Sequence, residues 1–367
     1  MADNKIRVGV VGASASYGWG YRAHLPAIQA LPEYKITAVC TSSAQTAVEA
    51  QRAYRARYAF HDYRELANCS DVDLVVVCVR AHKHPDIVRA ALQAGKHVFC
   101  EWPLGAELKP ARELTDLARR KGVRTLVGLQ GHGSPALQHV HNLIAKGYLG
   151  TVLGANMAMA IERYPGYQTP EEWAADPEKG SRVLWIHAGH AIDAFCLCAG
   201  EFREIAGRAS THIRDWKKVH AVGDLPPEAP DAVIASGLLA NGATATVSVL
   251  TDAGRGTGWR MEVWGDKGTM IVSCPTIVQY GAITISAARA GEDVFRAVDV
   301  PRDLTLVPDS MPKGPPYNVG QLYRRLAEAI RTGGDVQPNF DYAVRRLRML
   351  DAIAQSSRMG KQETLSS

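Results

Sequence analysis

The chain has 367 residues, of which 46% are hydrophobic and 22% are charged, a balance typical of a soluble globular protein large enough for two domains. Its 42 basic and 37 acidic residues give a formal net charge of +5, and the basic residues are too dispersed to predict a nucleic-acid partner. No apolar run approaches the roughly 20 residues of a membrane span, and no signal peptide precedes the first predicted strand, so we expect no membrane partner.

A short apolar run over residues 6–11 predicts the first strand, and a turn of small residues, 12–20, follows it. The helical pattern that comes next places Ala23, Leu25 and Ile28 on an apolar face. Strand, Gly-rich turn and helix is the arrangement that presents backbone N–H groups to a pyrophosphate. The turn departs from GxGxxG, because Ser and Tyr stand at two of the glycine positions. We predict phosphate contacts from Gly12, Ala13, Ser14, Ser16 and Tyr17.

Strand and helix patterns alternate through the rest of the first 128 residues. The uninterrupted apolar run Leu74–Val79 is typical of a central parallel strand that is buried on both faces. Repeated βαβ units predict a doubly wound parallel sheet, a Rossmann domain over residues 1–128. The other predicted strands are 36–40, 97–100 and 125–129, and the predicted helices are 45–58, 85–94 and 111–120.

Residues 129–367 follow a different pattern, with a helix over 137–146 and then long strand-like runs. Asn241-Gly242 and the segment 265–268 each separate two such runs and predict hairpins. The second domain is therefore predicted to be α+β with an open, mostly antiparallel sheet. Two helices, 318–331 and 341–357, end the chain and either stay with this domain or pack back on the first. The arginines of the last helix are expected on a solvated face, namely Arg345, Arg346 and Arg348.

The residues after the second predicted strand bear on the choice of cofactor. NAD-binding sites usually place a carboxylate there to hold the ribose hydroxyls. This chain instead has Thr41, Ser42 and Ser43, whose hydroxyls could bond a 2′-phosphate without repelling it. We therefore predict NADP as the cofactor and keep NAD as the alternative. The odd number of cysteines, seven, several in apolar strands, predicts reduced thiols and a cytoplasmic location.

Several motifs occur in an order that resembles the glucose–fructose oxidoreductase/inositol dehydrogenase/MocA family. They are the segment 91–104 ending in Glu-Trp-Pro-Leu, Gly147-Tyr-Leu-Gly150, Gly189-His-Ala-Ile-Asp193 and the 265–268 turn. The resemblance covers nearly the whole chain. It implies a Rossmann domain, a C-terminal domain whose open sheet forms the oligomer interface, and a tightly held NAD or NADP. We accordingly expect a homodimer or homotetramer.

The resemblance also shows where this chain departs from the family. The family's Glu-Lys-Pro segment, whose lysine lies beside the nicotinamide, reads Glu101-Trp102-Pro103 here. The family's aspartate four residues before the matching His190 is Ile186. These and other substitutions resemble the branch of the fungal galactose-regulon repressor, a regulator that binds a dinucleotide. The remaining predicted cofactor contacts are Val79, Arg80, His84, Glu101, Trp102 and Gln130.

Hydride transfer to or from a carbinol carbon needs an acid or base on the oxygen. Trp102 cannot serve, because an indole N–H only donates; it either stacks on the nicotinamide or a sugar face or merely fills space. His190 is the predicted proton carrier, with Asp193 to orient its ring and His187 one turn earlier. Tyr164 is a further candidate from a loop. No histidine pair in the sequence has a third ligand, so we predict no metal.

Two functions remain open. The first is an NAD(P)-dependent oxidoreductase that acts on a sugar, cyclitol or related polyol or keto compound with an atypical active site. The second is a non-catalytic dinucleotide-binding regulator or sensor, which the missing lysine and aspartate favour. A lyase or glycosidase that oxidises and re-reduces its substrate is a third possibility that no residue selects. The expected ligand is a small carbohydrate-like molecule.

Overall fold

A computed structural model describes residues 5–162, 184–212 and 230–365, which divide into two compact units. The first unit comprises Met1–Gly133 and Leu306–Arg345, and the second comprises Ser134–Thr305 and Arg346–Ser367. Residues 306–345 therefore group with the N-terminal part of the chain.

The first unit is built on a six-stranded parallel sheet in the order β3-β2-β1-β4-β5-β6. Its strands are β1 (Ile6–Val11), β2 (Tyr34–Cys40), β3 (Tyr58–Phe60), β4 (Leu74–Val77), β5 (His97–Glu101) and β6 (Thr125–Gly128). Strand β4 is buried along its whole length, as its apolar sequence predicts. The strand order reverses between β1 and β4, so their carboxyl ends form a topological switch point, where such sheets bind ligands.

The first unit's helices connect these strands in the expected alternation. After β1 a π-helix, Gly20–His24, runs directly into α1 (Leu25–Ala30). The others are α2 (Ala44–Tyr54), α3 (Tyr63–Asn68), α4 (His84–Gln93), α5 (Leu108–Lys121) and α8 (Pro315–Thr332). The predicted helix over residues 45–58 is wrong at its end. Arg55 adopts a left-handed conformation with φ of 54° and ends α2, and the next residues form β3 beside β2.

Helix α8 completes the core of the first unit although it lies far along the chain. Its buried Leu322, Tyr323 and Leu326 pack in one hydrophobic cluster with Leu25 and Ile28 of α1 and with residues of the sheet. Burial of apolar surface is the main favourable term in folding. The C-terminal segment 306–345 is therefore an integral part of this unit's core.

The second unit contains a nine-stranded sheet in the order β14-β13-β12-β11-β7-β10-β9-β8-β15. Its strands are β7 (Val152–Glu162), β8 (Phe202–Ser210), β9 (Ala232–Leu239), β10 (Thr244–Ala253), β11 (Gly258–Gly265), β12 (Gly268–Cys274), β13 (Thr284–Arg289), β14 (Arg296–Ala297) and β15 (Glu363–Thr364). Neighbouring strands are antiparallel except for β7 and β10. The predicted open, mostly antiparallel sheet is confirmed. Both predicted hairpins are also confirmed, since β9 pairs with β10 and β11 pairs with β12.

The nine-stranded sheet has one face covered by helices and one exposed face. Its helices are α6 (Pro135–Ala145), α7 (Gly189–Ala199), which is preceded by a π-helix, Leu184–Ala188, and the C-terminal part of α9 (Phe340–Met359). Helix α7 contacts β7 and β11. In β7 the buried Met157 and Met159 flank the exposed Ala158, as expected where side chains alternate between the faces of a strand.

Lys96 stabilises the bend between α4 and β5. Its ammonium donates hydrogen bonds to the backbone carbonyls of Cys69 at 2.9 Å and Val72 at 2.7 Å. A charged donor satisfies both carbonyls in a partly buried place, where unpaired polar groups are costly. Lys96 therefore has a structural role in the first unit.

The substitution Lys96→Met keeps the apolar stem of the side chain and removes both hydrogen bonds. We expect it to lower the free energy of unfolding by about 2 kcal/mol, because two carbonyls lose a charged donor. Urea denaturation followed by circular dichroism measures this loss. In the matched control, Lys121→Met, the exposed ammonium loses one bond to the Gln93 carbonyl, and we expect a loss below about 0.5 kcal/mol. Equal losses in the two variants would contradict the assignment.

Candidate functional site

The Gly-rich turn lies at the carboxyl end of β1, at the switch point of the six-stranded sheet. Gly12 has a φ of 93° and so occupies the left-handed region. A Cβ atom on Gly12 would lie 2.4 Å from the Cys78 carbonyl oxygen, and one on Gly20 would lie 2.7 Å from the Gly12 carbonyl oxygen. Close approach of the chain to itself therefore requires glycine at both positions. The same small residues leave the backbone accessible to a phosphate.

Hydrogen bonds hold the turn in one conformation. The N–H groups of Gly12 and Ala13 both donate to the Cys40 carbonyl at the end of β2, at 2.9 and 3.3 Å. The Ser14 hydroxyl accepts from the N–H groups of Ser16 and Tyr17, each at 3.3 Å. These two bonds use the lone pairs of the oxygen and not its hydrogen, and the contact of Ser14 with a phosphate stays a prediction.

A side chain of α2 supports the turn from the other side. The Tyr54 hydroxyl donates to the Ser14 carbonyl at 2.6 Å, and burial raises the pKa of Tyr54 to about 12. The hydroxyl is therefore a stable donor at neutral pH. Sequence reasoning missed this residue, because Tyr54 lies at the end of a helix whose exposed positions carry no sign of a site.

Two of the three hydroxyl residues after β2 make hydrogen bonds at the N-terminus of α2. Ser43 is the N-cap of α2 and accepts from the Thr46 N–H at 3.3 Å. The Thr41 hydroxyl lies 2.7 Å from the Thr46 hydroxyl and 3.1 Å from the Ser43 carbonyl oxygen. Two of the three predicted 2′-phosphate contacts thus help to start a helix, while Ser42 is exposed.

His84 connects the ends of β4 and β5. Its ring nitrogens lie 2.7 Å from the Pro103 carbonyl oxygen and 2.9 Å from the Val79 carbonyl oxygen, and the ring is 1% exposed. Arg80, between these two segments, is exposed. His84 is therefore placed to hold the two loops at the edge of the sheet. Its contact with the cofactor, and that of Arg80, stay predictions.

A buried polar network surrounds Glu101, the last residue of β5. Glu101 Oε1 lies 2.6 Å from His24 Nε2, and His24 Nδ1 lies 2.8 Å from the Tyr323 hydroxyl. The Gln130 amide donates to both carboxylate oxygens, at 3.0 and 2.9 Å. The structure therefore brings together two predicted residues, Glu101 and Gln130, with two that sequence reasoning missed. A signal for His24 existed, because it lies one turn before Ile28 on the apolar face of the predicted helix.

Trp102 follows Glu101 and is 5% exposed. It precedes Pro103, whose carbonyl contacts His84, and the Trp102–Pro103 peptide bond is cis. A buried indole thus lies at the carboxyl end of β5, where the resemblance predicts the family's lysine. Stacking on a ligand and space filling both remain predictions for this side chain.

In the second unit, His190 lies in the first turn of α7 and is 7% exposed. His187 lies on the preceding π-helix and is partly exposed. The predicted start of a helix at His190 is confirmed. Tyr164, the predicted loop candidate, lies outside the described residues.

Asp193 has a strong partner that was not expected. Arg346 Nε lies 3.1 Å from Asp193 Oδ1, and the Arg346 guanidinium makes two further bonds, 3.0 and 2.9 Å, to the carboxylate of Glu201. Arg346 is 1% exposed, so the prediction of a solvated face is wrong for this residue. The periodicity of a helix cannot show that a guanidinium is buried when its partners lie elsewhere in the chain. The proposed orienting role of Asp193 toward His190 stays a prediction.

The arrangement of the first unit fits a dinucleotide. Its Gly-rich turn, the hydroxyl residues after β2 and the ends of β4 and β5 all lie at the carboxyl edge of one parallel sheet. Such an edge offers backbone N–H groups to phosphates and side chains to the two nucleoside halves. Among the described residues, no group of three His, Cys, Asp or Glu side chains could hold a metal ion. No helix within the described ranges is both long and apolar enough to cross a membrane.

Comparison with known proteins agrees with this geometry. Residues 6–129 match the description "Oxidoreductase family, NAD-binding Rossmann fold", and residues 137–271 match the "GFO/IDH/MocA C-terminal domain". The chain belongs to the GFO/IDH/MocA family. Membership in this family confirms the resemblance drawn from the motifs and the expected combination of a Rossmann domain with a C-terminal α+β domain.

Individual GFO/IDH/MocA relatives have different roles. Dehydrogenase aclE of Aspergillus oryzae is 32% identical over 57% of this chain and 58% of its own length. The galactose/lactose metabolism regulatory protein GAL80 of Saccharomyces cerevisiae is 27% identical over 65% of this chain and 58% of its own. The chain thus spans less than two thirds of either relative. Levoglucosan dehydrogenase of Pseudarthrobacter phenanthrenivorans is 24% identical over 96% of both chains.

Solved structures share the fold over nearly the full length. A levoglucosan dehydrogenase in complex with NADH and L-sorbose has a TM-score of 0.85 at 22% identity and covers 99% of both chains. A super-repressor mutant of Gal80p from Saccharomyces cerevisiae has a TM-score of 0.86 at 20% identity and the same coverage. Dehydrogenases and a regulatory protein therefore both have the fold of this chain.

We expect the stability of the chain to fall below about pH 6.5 in part because of His84. Burial lowers the pKa of His84, so the unfolded chain takes up the proton first. The stabilisation is complete above the unfolded pKa of about 6.5 and is lost as the pH falls from there toward the folded pKa. Urea denaturation at pH 7.5 and 5.5 should show a smaller acid-induced loss in His84→Asn than in the wild type.

The same variant should be less stable at pH 7.5 by about 1–2 kcal/mol, because the bridge between the Val79 and Pro103 carbonyls is weakened. If the acid-induced loss is the same in the variant and the wild type, His84 does not titrate as a buried neutral ring.

Proposed function

We propose that this chain is an NAD(P)-dependent oxidoreductase that acts on a sugar, cyclitol or related polyol or keto compound. The observation that carries the proposal is the Gly-rich turn at the β1–β4 switch point of a GFO/IDH/MocA chain. Relatives named levoglucosan dehydrogenase and inositol 2-dehydrogenase support the substrate class. Because the first relatives are covered only in part, activity, substrate and partners are all proposals for this chain.

The proposed active site is atypical, since Trp102 stands where the family has lysine and Ile186 where it has aspartate. When bound, the dinucleotide would accept or donate a hydride. We assign the proton on the substrate oxygen to His190, whose imidazole can both give and take one near neutral pH. His187 and Tyr164 are further proposed site residues. We keep Asp193 as the residue that would orient the His190 ring; Arg346 bonds its carboxylate and that of Glu201.

NADP remains our proposed cofactor and NAD the alternative. No carboxylate follows β2 to repel a 2′-phosphate, and Ser42 is exposed there. Against this, the Thr41 and Ser43 hydroxyls already serve the start of α2, and a structural neighbour was solved with NADH. The seven cysteines are all free thiols, which supports the proposed reducing, cytoplasmic location.

The alternative function is a dinucleotide-binding regulator or sensor without catalysis. Trp102 favours it, because an indole cannot exchange a proton at the position that the family's lysine occupies. The GAL80 relatives are named as regulatory proteins. In this reading the first unit keeps its cofactor site, and the ligand-dependent event is binding alone.

Calorimetric titration with NAD⁺, NADH, NADP⁺ and NADPH tests cofactor binding directly. Turnover is then measured by absorbance at 340 nm, a wavelength set by the reduced nicotinamide, with levoglucosan, inositol, L-sorbose and related polyols. We expect binding, turnover with at least one polyol or keto sugar, and a 10²- to 10⁴-fold loss of kcat in His190→Ala.

The matched control is His141→Ala, whose exposed ring bonds the Leu197 carbonyl and should leave turnover unchanged. Tight binding without turnover of any substrate would support the regulator instead. Absence of binding to all four nucleotides would refute both functions.

We also propose that the chain forms a homodimer or homotetramer through the exposed face of its nine-stranded sheet. The outward side chains of the central strands are small or uncharged over much of this face, for example Ala158, Ser248 and Thr246. Larger apolar side chains on it are exposed, namely Ile234 at 53%, Leu250 at 37% and Trp264 at 37%. A flat, weakly charged surface of this kind suits a self-complementary interface.

The substitution Ala158→Arg places a long cation at the centre of that face, beside Arg260 of β11. We expect it to convert the oligomer to a monomer, because like charges would be buried between copies. Size-exclusion chromatography with light scattering measures the mass. Gln45→Arg, on the exposed side of α2, adds the same charge elsewhere and should leave the oligomer intact. An unchanged mass for Ala158→Arg would place the interface on another surface.

A further inference from the structure

The hydrogen bonds around Glu101 are those that a carboxylate accepts. The described contacts give the Tyr323 hydroxyl one partner, His24 Nδ1. If the hydroxyl donates to Nδ1, the ring carries its proton on Nε2 and donates it to Glu101 Oε1. Gln130 also donates to both carboxylate oxygens. Every group is satisfied in this arrangement, and Glu101 accepts from each partner, as a carboxylate does.

The fold around this carboxylate is built to hold it. A Cβ atom at position 128, the end of β6, would lie 2.4 and 2.5 Å from the two Glu101 oxygens, so only glycine leaves them room. Glu101 is 9% exposed and His24 is fully buried. A charge in such a place interacts more strongly with its surroundings than a charge in water does.

Four further ionisable groups among the described residues interact with the Glu101 charge, and burial favours the neutral form of each. Burial raises the pKa of the Cys78 and Cys100 thiols and of the Tyr323 hydroxyl. Burial lowers the pKa of His84. Among these described groups, the hydrogen-bonded pair of His24 and Glu101 is therefore where we place a charge.

Sheet topology places this pair on one side of the dinucleotide site. The pyrophosphate position is the turn at the β1–β4 switch point, and the adenosine ribose contacts the end of the second strand. In the order β3-β2-β1-β4-β5-β6, the end of β2 lies on one side of that turn. The ends of β4 and β5 lie on the other side, which leaves them for the nicotinamide half.

We propose that the Glu101 carboxylate, held by His24 and Gln130, makes this chain bind the oxidised dinucleotide more tightly than the reduced one. The proposal rests on the proposed cofactor binding. The oxidised nicotinamide ring carries a positive charge and the reduced ring carries none, so a fixed negative charge nearby stabilises the oxidised form. The pair is then a specificity determinant for the redox state of the cofactor, whether or not the chain catalyses a reaction.

Calorimetry on the full-length wild type and on Glu101→Gln, with both redox forms of the preferred dinucleotide, tests this. The amide keeps the shape and can still bond His24, but it has no charge. We expect the ratio of the two dissociation constants, reduced over oxidised, to fall about tenfold in the variant. The double variant His24→Gln with Glu101→Gln retains an amide pair without an ionisable group and should show the same fall. It serves as the second measurement if the single variant does not fold.

The matched control is Glu113→Gln on the exposed side of α5, which should keep the wild-type ratio. If Glu101 has only a structural role, the variant should bind the oxidised and the reduced dinucleotide more weakly by the same factor, and the ratio of dissociation constants should not change. That result, or unchanged dissociation constants for both forms, would overturn the proposal. If the wild type binds none of the nucleotides, the proposed function fails and the proposal fails with it. Binding with an unchanged ratio defeats only the proposal.

Discussion

The hydrogen bond between His24 and Glu101 is the interaction on which the first unit's site depends. It joins the π-helix that follows the Gly-rich turn to the end of β5, across 77 positions of sequence. The hydroxyl of Tyr323 contacts the same His24 ring and brings in α8, because Tyr323 lies 299 positions after His24 in the sequence. One buried polar cluster therefore connects three elements of the first unit: the helix after the Gly-rich turn, the end of β5 and helix α8. This connection is one reason why residues 306–345 fold with the N-terminal part of the chain.

Buried polar groups of this kind restrict the sequence more sharply than apolar packing does. An apolar core tolerates side chains of similar volume, whereas a carboxylate that loses its donors leaves an uncompensated charge. Gly128 shows the same restriction from the side of the backbone, because a methyl group there would overlap the Glu101 oxygens. The edge of the sheet at which the cofactor is proposed to bind is thus also where substitution is least tolerated.

Sequence reasoning succeeded where a short-range signal specifies structure. The apolar run of β4 and the turn residues Asn241 and Gly242 each act within a few positions, and both predictions are confirmed. The three-residue strand β3 escaped prediction because α2 ends at a left-handed arginine, Arg55, rather than at glycine. The parallel pairing of β7 with β10 could not be predicted either, since it joins segments with no local signal in common.

The residues of the candidate site also fall into two groups, those with a local sequence signal and those without one. Gly12 and Glu101 could be found from a motif, because small residues after a strand and a strand-end carboxylate are local features. The partners of Glu101 could not, since His24 and Tyr323 come from distant segments and only burial reveals their roles. Arg346 was misjudged for the same reason. Its position in a helix pattern carries no information about Asp193 and Glu201, which neutralise it in the interior.

The residues proposed to bind the dinucleotide differ from the residues proposed to take part in catalysis. For binding we propose the turn at Gly12, the end of β2 and the charge at Glu101, and all three residue sets belong to the first unit. Catalysis also needs a group that exchanges a proton, and the residue after Glu101 is an indole that cannot do so. The proposed loss of the family's lysine therefore leaves the proposed binding residues unchanged. On our two proposals, this chain stays selective for one cofactor state while another residue, His190, supplies the proton.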